Sequence, residues 1–312
     1  MTLNKPCGVI LSAGKGSRID PFNTRYPKPL LPIANRPIMG HHIEIFRELG
    51  ITEVKVVVGH LMNKIVNHFG RGQDFGVNIE YVEQEATLGI AHAVGQVADH
   101  VDGPFLLVLG DIFYAPIQIE TMIDQFNAQG GGAVLAVMRE SDEARLKKNF
   151  SVELGADGMV RQVIEKPSII TNDLKGCGIY MFGPEVFDAI RKTPRTAMRD
   201  EYEITSSIQI LIDDGHPVSV AEVVAWDHNI TFPKDLLLGN LEYMKQQGLA
   251  EVIAESAQVH EGAVITDSVI GENVQITAAA TLTRCVVLPD ARIDRAVEIT
   301  DTIVSPHNWF QC

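Results

Sequence analysis

From Ile253 onward an aliphatic residue returns about every six positions: Ile253, Val259 and Ile265, then Ile270, Ile276 and Leu282, then Leu288, Ile293 and Ile299. Small or aliphatic residues often follow four positions later, at Ala257, Ala263, Val269, Val274, Ala280, Val286, Val297 and Ile303. A period of six matches neither an α-helix nor a half-buried strand, whose side chains repeat every 3.6 and every 2 residues. It is the period of a β-helix, in which each hexad supplies a short strand and a turn. Three hexads close one triangular coil, so these nine predict about three coils. The spacing slips by one residue only twice.

Residues 1–245 keep a different rhythm. Continuous apolar runs recur at 7–13, 54–59, 77–82, 105–110, 133–138, 178–182 and 217–224. Runs of this length suit strands buried on both faces. Between them, Ile119, Met122, Ile123 and Phe126 fall on one helical face, as do Ile204, Ile208, Leu211 and Ile212. Alternating strands and helices predict an α/β domain with a mainly parallel, mixed sheet. The expected organisation is therefore an α/β domain over 1–245, a connector at 246–252 and a repeat domain over 253–312.

Acidic residues outnumber basic ones by 40 to 26, a formal charge of −14, which argues against a nucleic-acid groove. No apolar run approaches the ~18–20 residues of a membrane span. Residues 1–13 hold one Lys and no long apolar core, so no secretory signal is expected. Cys7, Cys177, Cys285 and Cys312 lack metal or disulfide spacing. A reducing, cytoplasmic location is the expectation.

Chemistry concentrates after the first strand, in LSAGKGSRIDPFNTRYPKPLLPI over 11–33. Gly14 and Gly16 let backbone N–H groups approach phosphate oxygens. Ser17 adds a hydroxyl, and Arg18 a guanidinium fork matched to phosphate. Lys28 is stiffened by Pro27 and Pro29. The spacing is neither a Walker motif nor a dinucleotide fingerprint. In QEATLGIAHAV (84–94), Gln84 ends a strand region, its amide able both to donate and to accept, and Gly89 precedes a helix. In FLLVLGDIFY (105–114), Asp111 follows an apolar strand, where open α/β sheets bind ligands, and is a hard-oxygen ligand for Mg²⁺. His41, His42, His60, His68 and His92 lack partners at metal spacing and are read as structural or exposed.

The 11–33 string resembles the signature of the nucleoside-diphosphate-sugar pyrophosphorylases, or sugar-1-phosphate nucleotidyltransferases, roughly LAGGxGTRLxPxTxxxPKPLLPI. It departs at Ser12, Ala13 and, conservatively, Ser17. The resemblance covers most of the chain. It is nearest the long glucose-1-phosphate thymidylyltransferases, which carry a C-terminal left-handed β-helix behind a Rossmann-like domain. It implies that an NTP, dTTP or UTP, reacts with a sugar 1-phosphate to give an NDP-sugar and pyrophosphate with Mg²⁺. Leu11, Ala13, Gly14, Gly16, Ser17, Gln84 and Gly89 would bind the nucleotide, Gln84 reading the N3–H and carbonyl edge of uracil or thymine, which an amide that donates and accepts suits. Arg18, Lys28, Asp111 and Lys166 would be catalytic. Ser151, Glu165, Lys166 and Gly178 would hold the sugar phosphate. So would Arg199, because RDEYEITSSIQ resembles the family's RGELEITDAIQ.

Three departures bear on particular roles. The family's W-x-x-D-x-G-x-P-E-D-L-L reads WDHNITFPKDLL here, which places Asn229 at the second metal-binding Asp, with Asp227 two residues away as the alternative. Ser151 replaces a Gly and Ser206 an Asp, both bearing on the sugar pocket. Two other readings remain: a non-catalytic regulatory subunit that binds a nucleotide sugar, and a bifunctional enzyme with acyltransferase activity in the β-helix. A homo-oligomer assembled through the tail is expected, with neither nucleic acid nor membrane as partner.

Overall fold

Seven strands form a continuous path across the main sheet of the computed structural model, which describes residues 5–197 and 200–312. The sheet strands are β1 (Cys7–Ser12), β2 (Glu53–Val58), β3 (Asn78–Glu83), β4 (Phe105–Leu109), β5 (Ala133–Arg139), β6 (Phe150–Leu154), β7 (Val160–Glu165), β8 (Leu174–Phe182) and β9 (Val218–Glu222). The order is β7-β6-β8-β4-β1-β2-β3, with β5 joined to β8 and β9. β4, β1, β2 and β3 run parallel, while β8 is antiparallel to β4, β5 and β6. The mixed, Rossmann-like sheet expected from the apolar runs is present. The run expected at 178–182 extends back to Leu174 and is buried throughout. The run at 217–224 ends at Glu222, and a separate strand, Val224–Asn229, pairs with Ile112–Pro116.

Helices cover the sheet with the faces their periodicity predicts. Met122 and Phe126 are buried in Glu120–Gln129, and Ile204, Ile208 and Leu211 in Ile204–Asp213. Ile204, Ile208 and Leu211 join Val9, Leu107, Leu135, Tyr180 and Phe182 in one apolar core.

Two compact units result, and they do not follow chain order. Met1–Gly14 goes with His42–Asp227, and Lys15–His41 goes with His228–Cys312. In the second unit, Asn240 of helix Pro233–Gln247 is fully buried. Its amide accepts from the Ala34 N–H (2.8 Å) and donates to the carbonyls of Pro32 (2.9 Å) and Leu236 (2.9 Å). Asn35 donates to the Ile270 carbonyl of the repeat region at 2.7 Å. Phe22 meets Phe310 edge-on, with centroids 6.3 Å apart. The segment that carries Gly16, Arg18 and Lys28 is thus fastened to the tail.

The repeats form a β-helix of three parallel sheets, each strand stacking on the one 17 residues later (Val252, Val269, Val286, Ile303). The aligned inward positions are Ile253, Ile270, Val287 and Val304, then Val259, Ile276 and Ile293, then Ile265, Leu282 and Ile299. The structure thus corrects one position: Val287, not Leu288, occupies the seventh rung. Two links of six residues and one of five make each coil. The short link carries Asp267, Arg284 and Asp301, all left-handed, with φ of 47°, 54° and 48°. Asn273 and Asp290, in six-residue links, are left-handed as well, with φ of 56° and 64°, so the conformation alone does not set the length of a link. The interior is apolar, including Ile270, Val274, Ile276, Ala280, Leu282 and Ile293. Strand Trp309–Gln311 closes the last rung by pairing antiparallel with Thr302–Val304.

Candidate active site

Parallel strands buried on both faces leave polar chemistry to their carboxyl ends, the general ligand-binding edge of open α/β sheets. In the first unit the expected residues gather along that edge. The Gly110 N–H, just after β4, donates to the Leu11 carbonyl of β1 at 2.9 Å, which sets Asp111 beside the β1 terminus. Gly59, after β2, is packed so closely that a Cβ there would lie 3.0 Å from the Ala13 carbonyl and 3.3 Å from that of Gln84. The backbones of Leu11, Ala13, Gln84 and Asp111 therefore share one edge of the sheet. No sequence signal singled out Gly59, whose role is to let these backbones approach.

Gln84 is buried, and its amide nitrogen lies 2.8 Å from His92 Nδ1. Gly89 opens helix Ile90–Gly95 at φ 109°. A Cβ at Gly89 would meet the Tyr202 carbonyl oxygen at 2.5 Å. That close approach is held by Tyr202 N–H to the Leu88 carbonyl (2.8 Å) and Ala91 N–H to the Tyr202 carbonyl (3.0 Å). Tyr202 is thereby joined to the 84–91 loop. Arg199 itself lies outside the described residues.

On the other side of the sheet centre, Glu165 ends β7 and Lys166 turns away in a left-handed conformation, φ 45°. Such a backbone costs about 1–3 kcal/mol and persists where its surroundings impose it; here the Lys166 N–H donates to the Asn149 carbonyl at 2.9 Å. The Lys166 ammonium is 3.7 Å from the Glu165 carboxylate, whose other oxygen accepts from Thr205 at 3.4 Å. Ser151 is buried on β6, opposite Lys175 of β8. Gly178 takes φ 75° at the irregularity in β8, and its carbonyl accepts from the Tyr114 hydroxyl at 3.1 Å. Burial, then the negative charge of Asp111, pushes the Tyr114 phenol well above its ordinary pKa. It stays a neutral donor.

In the second unit, Gly16 adopts φ 61° and opens the turn Ser17–Ile19. A Cβ at Gly16 would touch the Lys28 stem at 3.0 Å, so the two ends of the signature lie against each other. Lys28 is buried, whereas Gly14 in the first unit and Ser17 and Arg18 in the second are exposed. Exposed Asn229 accepts from the Thr231 hydroxyl through Oδ1 at 3.0 Å.

Asp227 is differently employed. Its buried carboxylate pairs with the buried Lys175 ammonium and with Arg145 at 3.3 Å. Arg145 also meets Glu140 at 3.0 Å. Sequence spacing did not reveal this pair, because Lys175 reads as one charge inside an apolar strand. Among the described residues, no group of three or more His, Cys, Asp or Glu side chains gathers to hold a metal. No helix there is long and apolar enough to cross a membrane.

The model of the nucleotidyl transferase family matches residues 7–228, most of the chain. The chain belongs to that family. A second family model, the GlmU-like C-terminal hexapeptide, matches 242–308 of this nucleotidyl transferase. It is 36% identical over 245 residues to a low-salt glycan biosynthesis nucleotidyltransferase of Haloferax volcanii, covering 78% of this chain and 67% of that one. It is 34% identical over 213 residues to a glucose-1-phosphate thymidylyltransferase of Streptomyces griseus, covering 67% and 58%. The chain thus spans about two thirds or less of the length of these curated relatives. Among solved structures, a Bacillus anthracis protein described as a glucose-1-phosphate thymidylyltransferase, crystallised with sucrose, superposes with a TM-score of 0.68 at 26% identity. That match covers 76% of this chain and 94% of that one.

The Lys175–Asp227 pair yields a stability prediction for this nucleotidyl transferase. Removing one partner of a buried ion pair costs about 3–5 kcal/mol, while replacing both with apolar groups is often near neutral. Lys175→Met is expected to lose that much in urea unfolding, and Lys175→Met with Asp227→Leu to recover most of it. Equal losses in the single and double variants would contradict the unpaired buried Asp227 as the source of the loss.

Proposed function

We propose that this nucleotidyl transferase joins an NTP, dTTP or UTP, to a sugar 1-phosphate, giving an NDP-sugar and pyrophosphate. The carrying observation is the shared strand edge that holds Leu11, Ala13, Gln84 and Asp111, with Glu165 and Lys166 at the end of β7. A phosphate oxygen of the sugar 1-phosphate attacks the α-phosphorus in line. The new P–O bond forms as the α–β bridge breaks, and pyrophosphate leaves with the electron pair. No protein nucleophile is needed, so catalysis is positioning and charge stabilisation.

Gly14, Gly16 and Ser17 offer donors to the triphosphate, and Arg18 balances the departing pyrophosphate. Lys166 and Arg199 hold the attacking phosphate, with Glu165, Ser151 and Gly178 lining the sugar. Lys28, its stem against Gly16, clamps the reacting groups. The donor set suits Mg²⁺ held mainly by substrate phosphates, since hard oxygen ligands are present and, among the described residues, no cluster of three or more carboxylate, His or Cys side chains could cage an ion. Asp111 would hold the ion with Asn229, whose carbonyl oxygen is the better second ligand because the Asp227 carboxylate is paired with Lys175. Bound there, the metal would neutralise charge that develops on the phosphates.

Intact Arg18, Lys28, Asp111 and Lys166 favour catalysis over a purely regulatory role. Acyl transfer by the tail is not favoured either: nothing in the described site calls for it, and His260 Nδ1 is engaged by the Gly262 N–H at 3.0 Å. We infer assembly as the tail's role. Ile253 and Val259 of the first coil are 41% and 37% exposed, whereas Ile270 and Ile276 one rung on are covered. An uncovered coil end is an apolar surface that a second copy can bury.

Losing one pre-aimed donor commonly costs about 10²- to 10³-fold in rate. Pyrophosphate release from UTP or dTTP with a panel of sugar 1-phosphates is expected, and Arg18→Ala or Asp111→Ala should lower it at least about 10²-fold. Near-normal turnover in both variants would overturn the site assignment. In light scattering, the wild-type chain should be an oligomer that Ile253→Glu dissociates; a monomeric wild type would refute assembly.

A further inference from the structure

Gln84 is 5% exposed, and a buried amide has to commit its two ends to different partners. Its nitrogen end is committed, lying 2.8 Å from His92 Nδ1. Its Oε1 accepts no hydrogen bond among the described residues, yet it is absent from the buried polar atoms that lack a partner, so it keeps access to solvent. An amide rotated by half a turn would offer its NH₂ to a ligand instead. The choice depends on the imidazole, because the two ring nitrogens of a neutral His are one donor and one acceptor.

His92 is itself held in place. It stands in helix Ile90–Gly95, directly after the Gly89 approach to Tyr202. Its ring stacks on Tyr202, with centroids 6.2 Å apart and planes 23° apart. Two backbone hydrogen bonds tie Tyr202 to the same loop, through Leu88 and Ala91.

We propose that His92 is a positioning residue for base selection. With Nδ1 as acceptor, it draws the Gln84 NH₂ toward itself and leaves Oε1 for the ligand. An outward carbonyl accepts from the N3–H of uracil or thymine. It repels cytosine, whose N3 carries a lone pair. The rotated amide would reverse that preference. This rests on the proposed function with Gln84 as its base contact, the role the family resemblance implies, and adds that His92 chooses which end of the amide is read. The histidine, set aside in the sequence as structural or exposed, is thereby a specificity device.

The test is kcat/KM for UTP, dTTP and CTP in the wild type, His92→Phe and His92→Asn. Phe keeps a ring against Tyr202 but has no acceptor. Asn Oδ1 sits close to where Nδ1 was and accepts again. The wild type should prefer UTP or dTTP to CTP. Phe should shrink that ratio at least about tenfold, mainly through KM, and Asn should retain it within about threefold. Should the Phe variant not fold, His92→Ala supplies the same comparison. A ratio unchanged by loss of the acceptor, with the wild type active on UTP or dTTP, overturns the positioning role alone. A wild type that prefers CTP overturns the assigned amide orientation. A wild type that uses no pyrimidine nucleotide brings down the base-contact reading, and this inference with it.

Discussion

Burial of the main sheet on both faces is the constraint on which the rest depends. β8 is buried along its whole length, and β4 and β5 nearly so. A backbone so enclosed satisfies its own hydrogen bonds and leaves no room for unpaired polar side chains. Reactive groups are therefore driven to the carboxyl ends of the strands. There Gly59 and Gly110 let neighbouring backbones close to within ordinary contact, and Ala13, Gln84 and Asp111 come to the same edge. Lys175 and Asp227 are buried as an oppositely charged pair, and they neutralise each other in place.

The second unit solves a different problem. A loop rich in Gly and Pro has little core of its own. Here it borrows one from the C-terminal part of the chain. Asn240 satisfies backbone groups at Pro32 and Ala34, Asn35 bonds to Ile270, and Phe22 packs on Phe310. Each contact restrains the backbone of the segment that carries Gly16, Arg18 and Lys28. The tail thus supports the signature segment mechanically.

Much of this was legible in the chain. Continuous apolar runs announced strands buried on both faces, and the six-residue period announced the β-helix. What periodicity could not resolve was where the second five-residue corner falls, because Val287 and Leu288 are both apolar and a six-residue step from Leu282 reaches Leu288, whereas the structure puts Val287 on the rung. Local motifs located Gly16, Lys28, Gln84 and Asp111. Contacts distant in sequence were invisible: His92 on Gln84 is one helical turn past a loop, but Tyr202 against Gly89 and Lys175 against Asp227 join segments that no pattern links. A pairing of this kind is decided by tertiary packing, and each partner alone looks like an ordinary residue.

The central claim is direct, in-line transfer at the α-phosphorus without an enzyme-bound intermediate. The stereochemistry of the reaction with a chiral UTP or dTTP carrying sulfur on the α-phosphorus tests it most directly. One displacement predicts inversion at that phosphorus in the NDP-sugar product. Retention would require two displacements, hence a covalent nucleotidyl-enzyme, and would contradict the account.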